Sequence, residues 1–189
     1  MVYQLETPRL YLRQWRADDL PAFARMTADP EVMHYFPKTL DKAESDALAS
    51  RIQSLLGERG WGFWALELKE TQSFIGFVGL HVQSAEVVIP QTPFVEIGWR
   101  LDKNHWRKGY AYEAAIATMD FAFDTLALEH VFAFTLLDNL PSRGVMEKLG
   151  MINTLQDFDH PSLLDLPEEK KRHCLYKITR LQWRDGKSH

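Results

Sequence analysis

The chain has 189 residues, 46% of them hydrophobic and 25% charged, so we expect one compact domain over residues 1–189. Its net charge of −4 and pI of about 6.0 disfavour a general nucleic-acid binder, although a local basic patch is compatible with them. The single cysteine, Cys174, excludes an internal disulfide framework, and no segment reaches the ~20 apolar residues of a membrane span. We therefore expect a cytoplasmic protein without nucleic-acid or membrane partners.

The first forty residues predict a strand followed by helix. Hydrophobic residues alternate from Leu10 through Leu12, which is typical of a strand. Residues 16–36 look helical in two pieces, broken at Pro30 because proline cannot continue a helix.

The next segment predicts a helix and a β-hairpin. An amphipathic helix is expected over residues 41–57, and it should stop near Gly57. The apolar segments 62–68 and 74–82 are separated by the polar sequence KETQS, so they should form two hairpin strands.

Residues 83–93 are a proline-containing excursion, and residues 94–101 (FVEIGWRL) predict the next strand. Alternation divides this strand into two faces. The expected core face consists of Val95, Ile97, Trp99 and Leu101, and the opposite face of Glu96, Gly98 and Arg100.

The second half of the chain predicts a helix, a buried strand, a short helix and a late strand. The first helix carries a core stripe at helical spacing: Tyr112, Ala115, Met119, Ala122, Phe123 and Leu126. The other three elements cover residues 130–137, 138–150 and 173–183. This order indicates a mixed α/β fold around one sheet.

The turn between the strand 94–101 and the following helix is basic, with Arg107 and Lys108 beside Gly109 and Ala111. Cations are electrostatically misplaced at a helix start, whereas free N–H groups and small residues there can hold an anion. A phosphate-bearing ligand would explain the placement. An ordinary turn with solvated basic side chains explains it equally well.

Other chemistries lack their motifs. There is no P-loop, no G-x-G-x-x-G after a strand and no G-x-S-x-G. No H-E-x-x-H or paired cysteines indicate a metal site, so none is expected. Cys174 lies in an apolar strand, which favours an inert core thiol over a nucleophile.

The segments EIGWRL and WRKGYAYEA, followed by NLPSRGVMEKLGM, resemble the Gcn5-related N-acetyltransferases (GNAT). The likeness is greatest to the subgroup that includes bacterial ribosomal-protein N-terminal acetyltransferases. The family signature [QR]-x-x-G-x-[GA] falls on Trp106, Gly109 and Ala111, with Trp at its first position. The segments TPRLYLRQW, ADPEVMHYF and LYKITRLQW extend the resemblance over nearly the whole chain. It implies a central, mostly antiparallel, splayed sheet flanked by helices.

The resemblance also implies acetyl-CoA as co-substrate. Its pyrophosphate would bind the backbone amides of Arg107, Lys108, Gly109, Tyr110, Ala111 and Tyr112. Its pantetheine arm would run beside Ile97, Gly98 and Trp99. Asn139 corresponds to a family residue that touches this arm, and as a helix N-cap it also has a purely structural interpretation.

Acetylation of an amine requires a proton acceptor and a proton donor. Glu96 is the first candidate base because it lies on the non-core face of the strand expected to hold the thioester. A solvent-facing salt bridge is its alternative role, and His81 or a water relay is an alternative base. Ser142 is the candidate acid, with a first-turn serine as the structural alternative, and Tyr176 is a weaker candidate.

The predicted function is transfer of an acetyl group from acetyl-CoA to a primary amine by direct attack in a ternary complex. The acceptor would be a protein N-terminus or a small-molecule amine, and the protein a monomer or homodimer. The alternative is a catalytically silent acyl-CoA-binding sensor or interaction module. Four aromatic residues could line the acceptor groove or belong to the core: Phe36, Trp61, Phe63 and Phe94.

Overall fold

The computed structural model describes residues 1–187. The strands are β1 (Leu5–Glu6), β2 (Leu10–Arg13), β3 (Phe63–Leu68), β4 (Ser73–Gln83), β5 (Phe94–Leu101), β6 (His130–Leu136), β7 (Ile152–Asn153), β8 (Phe158–Asp159) and β9 (Arg172–Thr179). The helices are α1 (Leu20–Ala28), α2 (Lys42–Arg59), α3 (Tyr110–Asp120), α4 (Leu140–Lys148), α5 (Glu168–Lys171) and α6 (Arg180–Lys187). The mixed α/β class predicted from the sequence is confirmed. None of the helices in residues 1–187 combines the length and the apolar character that a membrane span requires.

The chain forms two compact units, each built from two stretches of sequence. The first unit comprises residues 1–80 and 98–118, and the second comprises residues 81–97 and the chain from 119 on. The expectation of a single domain over residues 1–189 stays a prediction.

In the first unit, β2 lies between β1 and β3, and β3 pairs with β4, all antiparallel. The hairpin of β3 and β4 is the one that the sequence predicted. Beside β2, the buried guanidinium of Arg13 donates to Asp19 at 2.8 Å and to Glu67 at 2.6 Å. Because both carboxylates compensate this charge, the polar cluster joins β2 to β3 and to the turn before α1.

In the second unit, β9 is the central strand. It pairs antiparallel with β6 over seven residue pairs, and with β7 and β8 over two pairs each. Strand β5 runs parallel to β6, and their register contains one pair, Glu96 with Phe132. The sheet strands of both units are therefore mostly antiparallel, as expected.

The segment after α1 is not the second helical piece that the sequence predicted. Residues 30–38 form successive turns, closed by hydrogen bonds such as that from Phe36 N–H to the Met33 carbonyl. The Asp29 carboxylate accepts the N–H of Glu31 at 2.9 Å, which competes with helical hydrogen bonding directly at Pro30.

Two predicted ends were also wrong. Helix α2 passes through Gly57 and stops at Gly60, whose φ of 80° supplies the left-handed end that Gly57 was expected to provide. The last strand ends at Thr179, and α6 follows. Reciprocal hydrogen bonds between Thr179 and Gln182 cap this helix, so the terminal LQW sequence is helical.

The core face of β5 differs from simple alternation at its start. Phe94 is 5% exposed and stacks on Phe132 with ring centroids 4.5 Å apart, whereas Val95 is only half-buried. Further along, Ile97 and Leu101 are buried as predicted, and Trp99 is half-buried. The core residue at the start of β5 is therefore Phe94 and not Val95.

Candidate active site

The turn that precedes α3 combines two left-handed residues with an exposed basic surface. Arg107 has φ of 58° and Gly109 has φ of 81°, and the side chains of Arg107 and Lys108 are exposed. A positive φ is uncommon outside glycine and often marks a functional turn. Helix α3 begins directly afterwards at Tyr110, and the first N–H groups of a helix have no partner within it. The turn therefore joins cationic side chains to a helix N-terminus.

An ion pair in the first unit fixes this helix start. Arg9 Nε lies 2.6 Å from a carboxylate oxygen of Glu113, in the first turn of α3, and Thr7 donates its hydroxyl to the other oxygen at 2.6 Å. Arg9 Nη1 also donates to the carbonyl of Lys108 at 3.0 Å, and its guanidinium lies 4.4 Å from the ring centroid of Tyr110. Arg9 thus holds the basic turn through its contacts with Lys108, Tyr110 and Glu113.

The tryptophan at the first signature position has a structural role. Its indole N–H donates to the carbonyl of Leu101 at 2.9 Å, while 42% of Trp106 remains exposed. This bond links the end of β5 to the turn, so Trp106 shapes the backbone between them.

Glu96 lies in the second unit, at the single position where β5 pairs with β6. Its carboxyl accepts a hydrogen bond from the Gln83 amide at 3.2 Å, and burial raises its pKa to about 8. The residue is nevertheless only half-buried. Its partner is a neutral amide, so the salt bridge considered from the sequence is not the environment that the structure gives it. A half-buried carboxyl with this pKa can take up and release a proton near neutral pH.

Asn139 and Ser142 lie at the start of α4. Asn139 is the N-cap: its side-chain oxygen accepts the Ser142 N–H at 3.2 Å, and its amide donates to the Thr135 hydroxyl at 2.8 Å. Ser142 is half-buried in the first helical turn. The cap uses the backbone N–H of Ser142, and the Ser142 hydroxyl takes no part in this hydrogen bond.

Tyr176 is buried, and its hydroxyl donates to Glu147 at 2.8 Å and accepts from Arg143 at 3.2 Å. Burial raises the pKa of this phenol. Cys174 is 1% exposed, and burial likewise raises the pKa of its thiol. Both side chains pack as core residues. His81 is half-buried in β4 and precedes Gln83 by two residues.

The remaining predicted residues follow β5. Ile97 is 3% exposed, so only its backbone can face a ligand. A Cβ at Gly98 would lie 3.2 Å from the Phe63 ring, tighter than ordinary contact, so this position favours glycine. Of the aromatic residues considered for an acceptor groove, Phe94 belongs to the core, and the other three are half-buried: Phe36, Trp61 and Phe63.

Sequence reasoning missed several partners of these residues. The hydrogen bond between Gln83 and Glu96 could not be predicted from the sequence. It depends on how β4 and β5 are aligned, and a loop separates these two strands. The Arg9–Glu113 pair spans 104 residues, although an acidic residue in the first helical turn is itself a common signal. Among residues 1–187, no group of three His, Cys, Asp or Glu could hold a metal ion.

Comparisons with known proteins agree with this architecture. The family model for the acetyltransferase (GNAT) domain matches residues 9–152. The uncharacterized N-acetyltransferase YnaD of Bacillus subtilis is 31% identical over 147 residues, which cover 78% of this chain and 81% of the relative. The crystal structure of a GNAT-family acetyltransferase from Bacillus anthracis superposes with a TM-score of 0.76 at 25% identity, over 95% of this chain and 99% of that one.

A second structural neighbour shares the fold at lower identity. The ribosomal-protein-S5-alanine acetyltransferase of Vibrio fischeri has a TM-score of 0.71 at 18% identity, over 96% of this chain and 98% of that one. The family match covers most of the chain, including the basic turn and the start of α4. The chain belongs to the GNAT family of acetyltransferases.

Proposed function

We propose that this protein transfers the acetyl group of acetyl-CoA to a primary amine by direct attack in a ternary complex. The observation that carries the proposal is Glu96, a half-buried carboxyl whose pKa is raised to about 8 by burial. Such a group is suited to receive a proton from the acceptor. Family membership supplies the reaction class.

The acetyl-CoA pyrophosphate binds the backbone amides of residues 107–112. Arg107 and Lys108, both exposed, add positive charge at a helix N-terminus that already favours anions. The pantetheine arm runs beside Ile97, Gly98 and Trp99, and Asn139 contacts it while also capping α4. The family resemblance assigns these contacts, and the Arg9–Glu113 pair supports them by fixing the turn.

The chemical step needs no covalent enzyme intermediate. The lone pair of the neutral amine attacks the thioester carbonyl carbon, and collapse of the tetrahedral intermediate breaks the carbon–sulfur bond. Before the attack, Glu96 takes one proton from the acceptor ammonium, directly or through water, which frees this lone pair. The nitrogen loses its second proton to solvent after the attack. The leaving thiolate takes a proton from the Ser142 hydroxyl, which regains one from solvent. The products are the acetylated amine and free CoA.

The raised pKa of Glu96 matters because the proton donor is weakly acidic. An alkyl ammonium titrates near ~10, whereas an ordinary glutamate titrates near ~4, so the transfer would be uphill by about six pKa units. Because the pKa of Glu96 is about 8, only about two pKa units separate it from the ammonium. The same carboxyl is largely protonated at neutral pH, so activity should increase toward alkaline pH.

The acceptor is a protein N-terminus or a small-molecule amine. Both classes of acceptor are tested. The structural neighbours include ribosomal-protein acetyltransferases, but at 17% and 18% identity they share the fold alone. Release of free CoA is measured with peptides that begin with Ala or Ser, with polyamines, with amino acids and with aminoglycosides. Turnover of at least one amine is expected.

The matched variants are Glu96→Gln and Glu86→Gln, since Glu86 is exposed in the loop before β5. Glu96→Gln should lower kcat by roughly 10²–10⁴-fold, with acetyl-CoA affinity unchanged in calorimetry. Glu86→Gln should behave as the wild type. Binding of acetyl-CoA without turnover of any amine would instead indicate an acyl-CoA sensor.

A further inference from the structure

Arg100 is a half-buried residue whose guanidinium has two buried nitrogens and no compensating anion among the described residues. It lies in the first unit near the end of β5, and its Nε and Nη1 atoms are buried with no hydrogen-bond partner among the described residues. Buried guanidinium groups are normally paired with carboxylates, as Arg13 is with Asp19 and Glu67 in the same unit. The two arginines therefore have opposite electrostatic environments.

Aromatic rings hold the Arg100 guanidinium in position. Its central carbon lies 3.8 Å from the ring centroid of Phe36 and 5.4 Å from that of Phe77. Stacking occupies a face of the planar group, and its N–H donors project from the edges. An oxyanion that reaches these edges would accept hydrogen bonds that the aromatic rings leave unmade.

The electrostatic state of Arg100 points the same way. Burial lowers the pKa of Arg100 to about 10, because the charged form has lost water without gaining an anion. Cation–π stacking compensates part of this loss, but it leaves the buried N–H groups unsatisfied. The folded protein retains a cationic site that a negatively charged ligand would stabilise.

We propose that Arg100 binds a carboxylate of the acceptor, so that the protein acetylates amines that carry an acidic group. This inference rests on the proposed acetyltransfer. The ligand chemistry is an oxyanion, and two substrates could supply one: a phosphate of acetyl-CoA or a carboxylate of the acceptor. The acceptor is favoured because the turn at residues 107–112 already provides the basic side chains and amides for the cofactor phosphates.

The first experiment tests anion binding without turnover. Thermal unfolding is followed for the wild type, Arg100→Met and Arg51→Met, in sodium acetate and in sodium chloride of equal ionic strength. Arg51 is exposed on α2 and serves as the matched loss of charge. Acetate should raise the Tm of the wild type and of Arg51→Met above its value in chloride, and should leave Arg100→Met unchanged.

The same variants distinguish two roles of Arg100, binding an anion and packing against the ring of Phe36. Removing a buried charge that has no partner should stabilise the protein, so Arg100→Met in chloride should unfold on the order of 3 °C above the wild type. If Arg100 serves only to pack against Phe36, the same variant should instead unfold at a lower temperature. A lower Tm together with no acetate effect in the wild type overturns the proposal.

The second experiment identifies the source of the anion. Release of CoA is compared for amines that differ only in the carboxylate: methionine and methioninamide, β-alanine and β-alaninamide, 4-aminobutyrate and its amide. The wild type should prefer an acid over its amide by about 10- to 100-fold in kcat/KM, as expected for charged hydrogen bonds. Arg100→Met should lose this preference, and Arg100→Lys should recover part of it.

Calorimetry with acetyl-CoA completes the test. Arg100→Met should bind acetyl-CoA as the wild type does, whereas a tenfold loss of affinity would assign the anion to the cofactor and overturn the acceptor proposal. Equal turnover of acids and amides would overturn it as well. If no amine releases CoA, the proposed acetyltransfer fails, and the acetate arm still decides whether Arg100 is an anion site.

Discussion

Arg9 and Glu113 form a 2.6 Å ion pair that joins the beginning of β2 to the first turn of α3. The carboxylate also accepts the backbone N–H of Arg9 at 2.9 Å and the hydroxyl of Thr7. One acidic side chain therefore collects three hydrogen bonds beside the basic turn. We therefore expect the position of that turn to depend on the ionised state of Glu113.

The first prediction concerns the pH dependence of this contact. Burial acts to raise the pKa of Glu113, but the hydrogen bonds from Thr7 and Arg9 outweigh it and hold the pKa below its ordinary value. A carboxyl with a lowered folded pKa stabilises the protein above its unfolded pKa, and this contribution is lost as the pH falls through the folded value.

Glu113→Gln should therefore lower the Tm at pH 7, and the difference from the wild type should shrink below about pH 4. Thermal unfolding monitored by circular dichroism measures the Tm of both proteins at each pH. Glu58→Gln, at an exposed position of α2, should cause no comparable change. A constant difference across the acid range would show that the ion pair does not fix the helix start.

The second prediction concerns Glu96, whose pKa is raised on folding, whereas that of Glu113 is lowered. Its folded pKa of about 8 lies above that of an unfolded glutamate, so its contribution to stability is fully present below the unfolded pKa. That contribution is lost as the pH rises through 8.

Glu96→Gln should consequently gain Tm relative to the wild type between about pH 5 and pH 8. This gain needs no acceptor and no turnover. In the active enzyme, kcat should rise with an apparent pKa near 8, and the variant should lose that rise. A Tm difference independent of pH would place Glu96 in an ordinary, solvated environment.

The third prediction compares two glycines. Gly109 has φ of 81°, and a Cβ there would lie 3.4 Å from Arg9 Nη2, whereas Gly57 lies in α2 with no atom within 4 Å of an added Cβ. Gly109→Val should weaken acetyl-CoA binding by roughly tenfold or more, because a β-branched residue resists the left-handed conformation. Gly57→Ala should stabilise α2 by about 0.5–1 kcal/mol without affecting binding.

Calorimetry and thermal unfolding separate these effects. The Gly109 variant is informative when its circular dichroism spectrum matches that of the wild type. A folded variant with unchanged acetyl-CoA affinity would remove the pyrophosphate from this turn.

The fourth prediction separates capping from catalysis in α4. Asn139→Ala removes the side-chain acceptor for the Ser142 N–H and should cost about 1 kcal/mol of stability. Ser142→Ala keeps that N–H, so it should leave the Tm unchanged and lower kcat through loss of the proton donor. If kcat falls only in Asn139→Ala, the Ser142 hydroxyl has no part in the reaction.

Local sequence signals predicted most regular elements. Alternating and helical spacing located the β3–β4 hairpin, β6 and α4, because these segments bury one face or both against the core. The errors arose where a side chain competes with the backbone pattern. Asp29 accepts a backbone N–H beside Pro30, and Gln182 with Thr179 starts a helix within what reads as a strand.

The candidate site was predictable only in part. The turn around Gly109 and the position of Asn139 follow from motifs that are contiguous in sequence. The environment of Glu96 does not, since its pKa depends on burial and on Gln83 across a long excursion. The lack of a hydrogen-bond partner at Arg100 could not be predicted either. Alternation predicts which face of a strand a residue lies on, but not whether its charge is paired.

The role of β9 has a consequence for recombinant fragments. The GNAT domain match ends at residue 152, yet β9 begins at Arg172 and pairs with all seven residues of β6. A gene fragment trimmed to the matched limits would encode β6 with one long edge of unpaired N–H and C=O groups. Such an edge recruits strands from other molecules, so the trimmed protein should accumulate as inclusion bodies during expression.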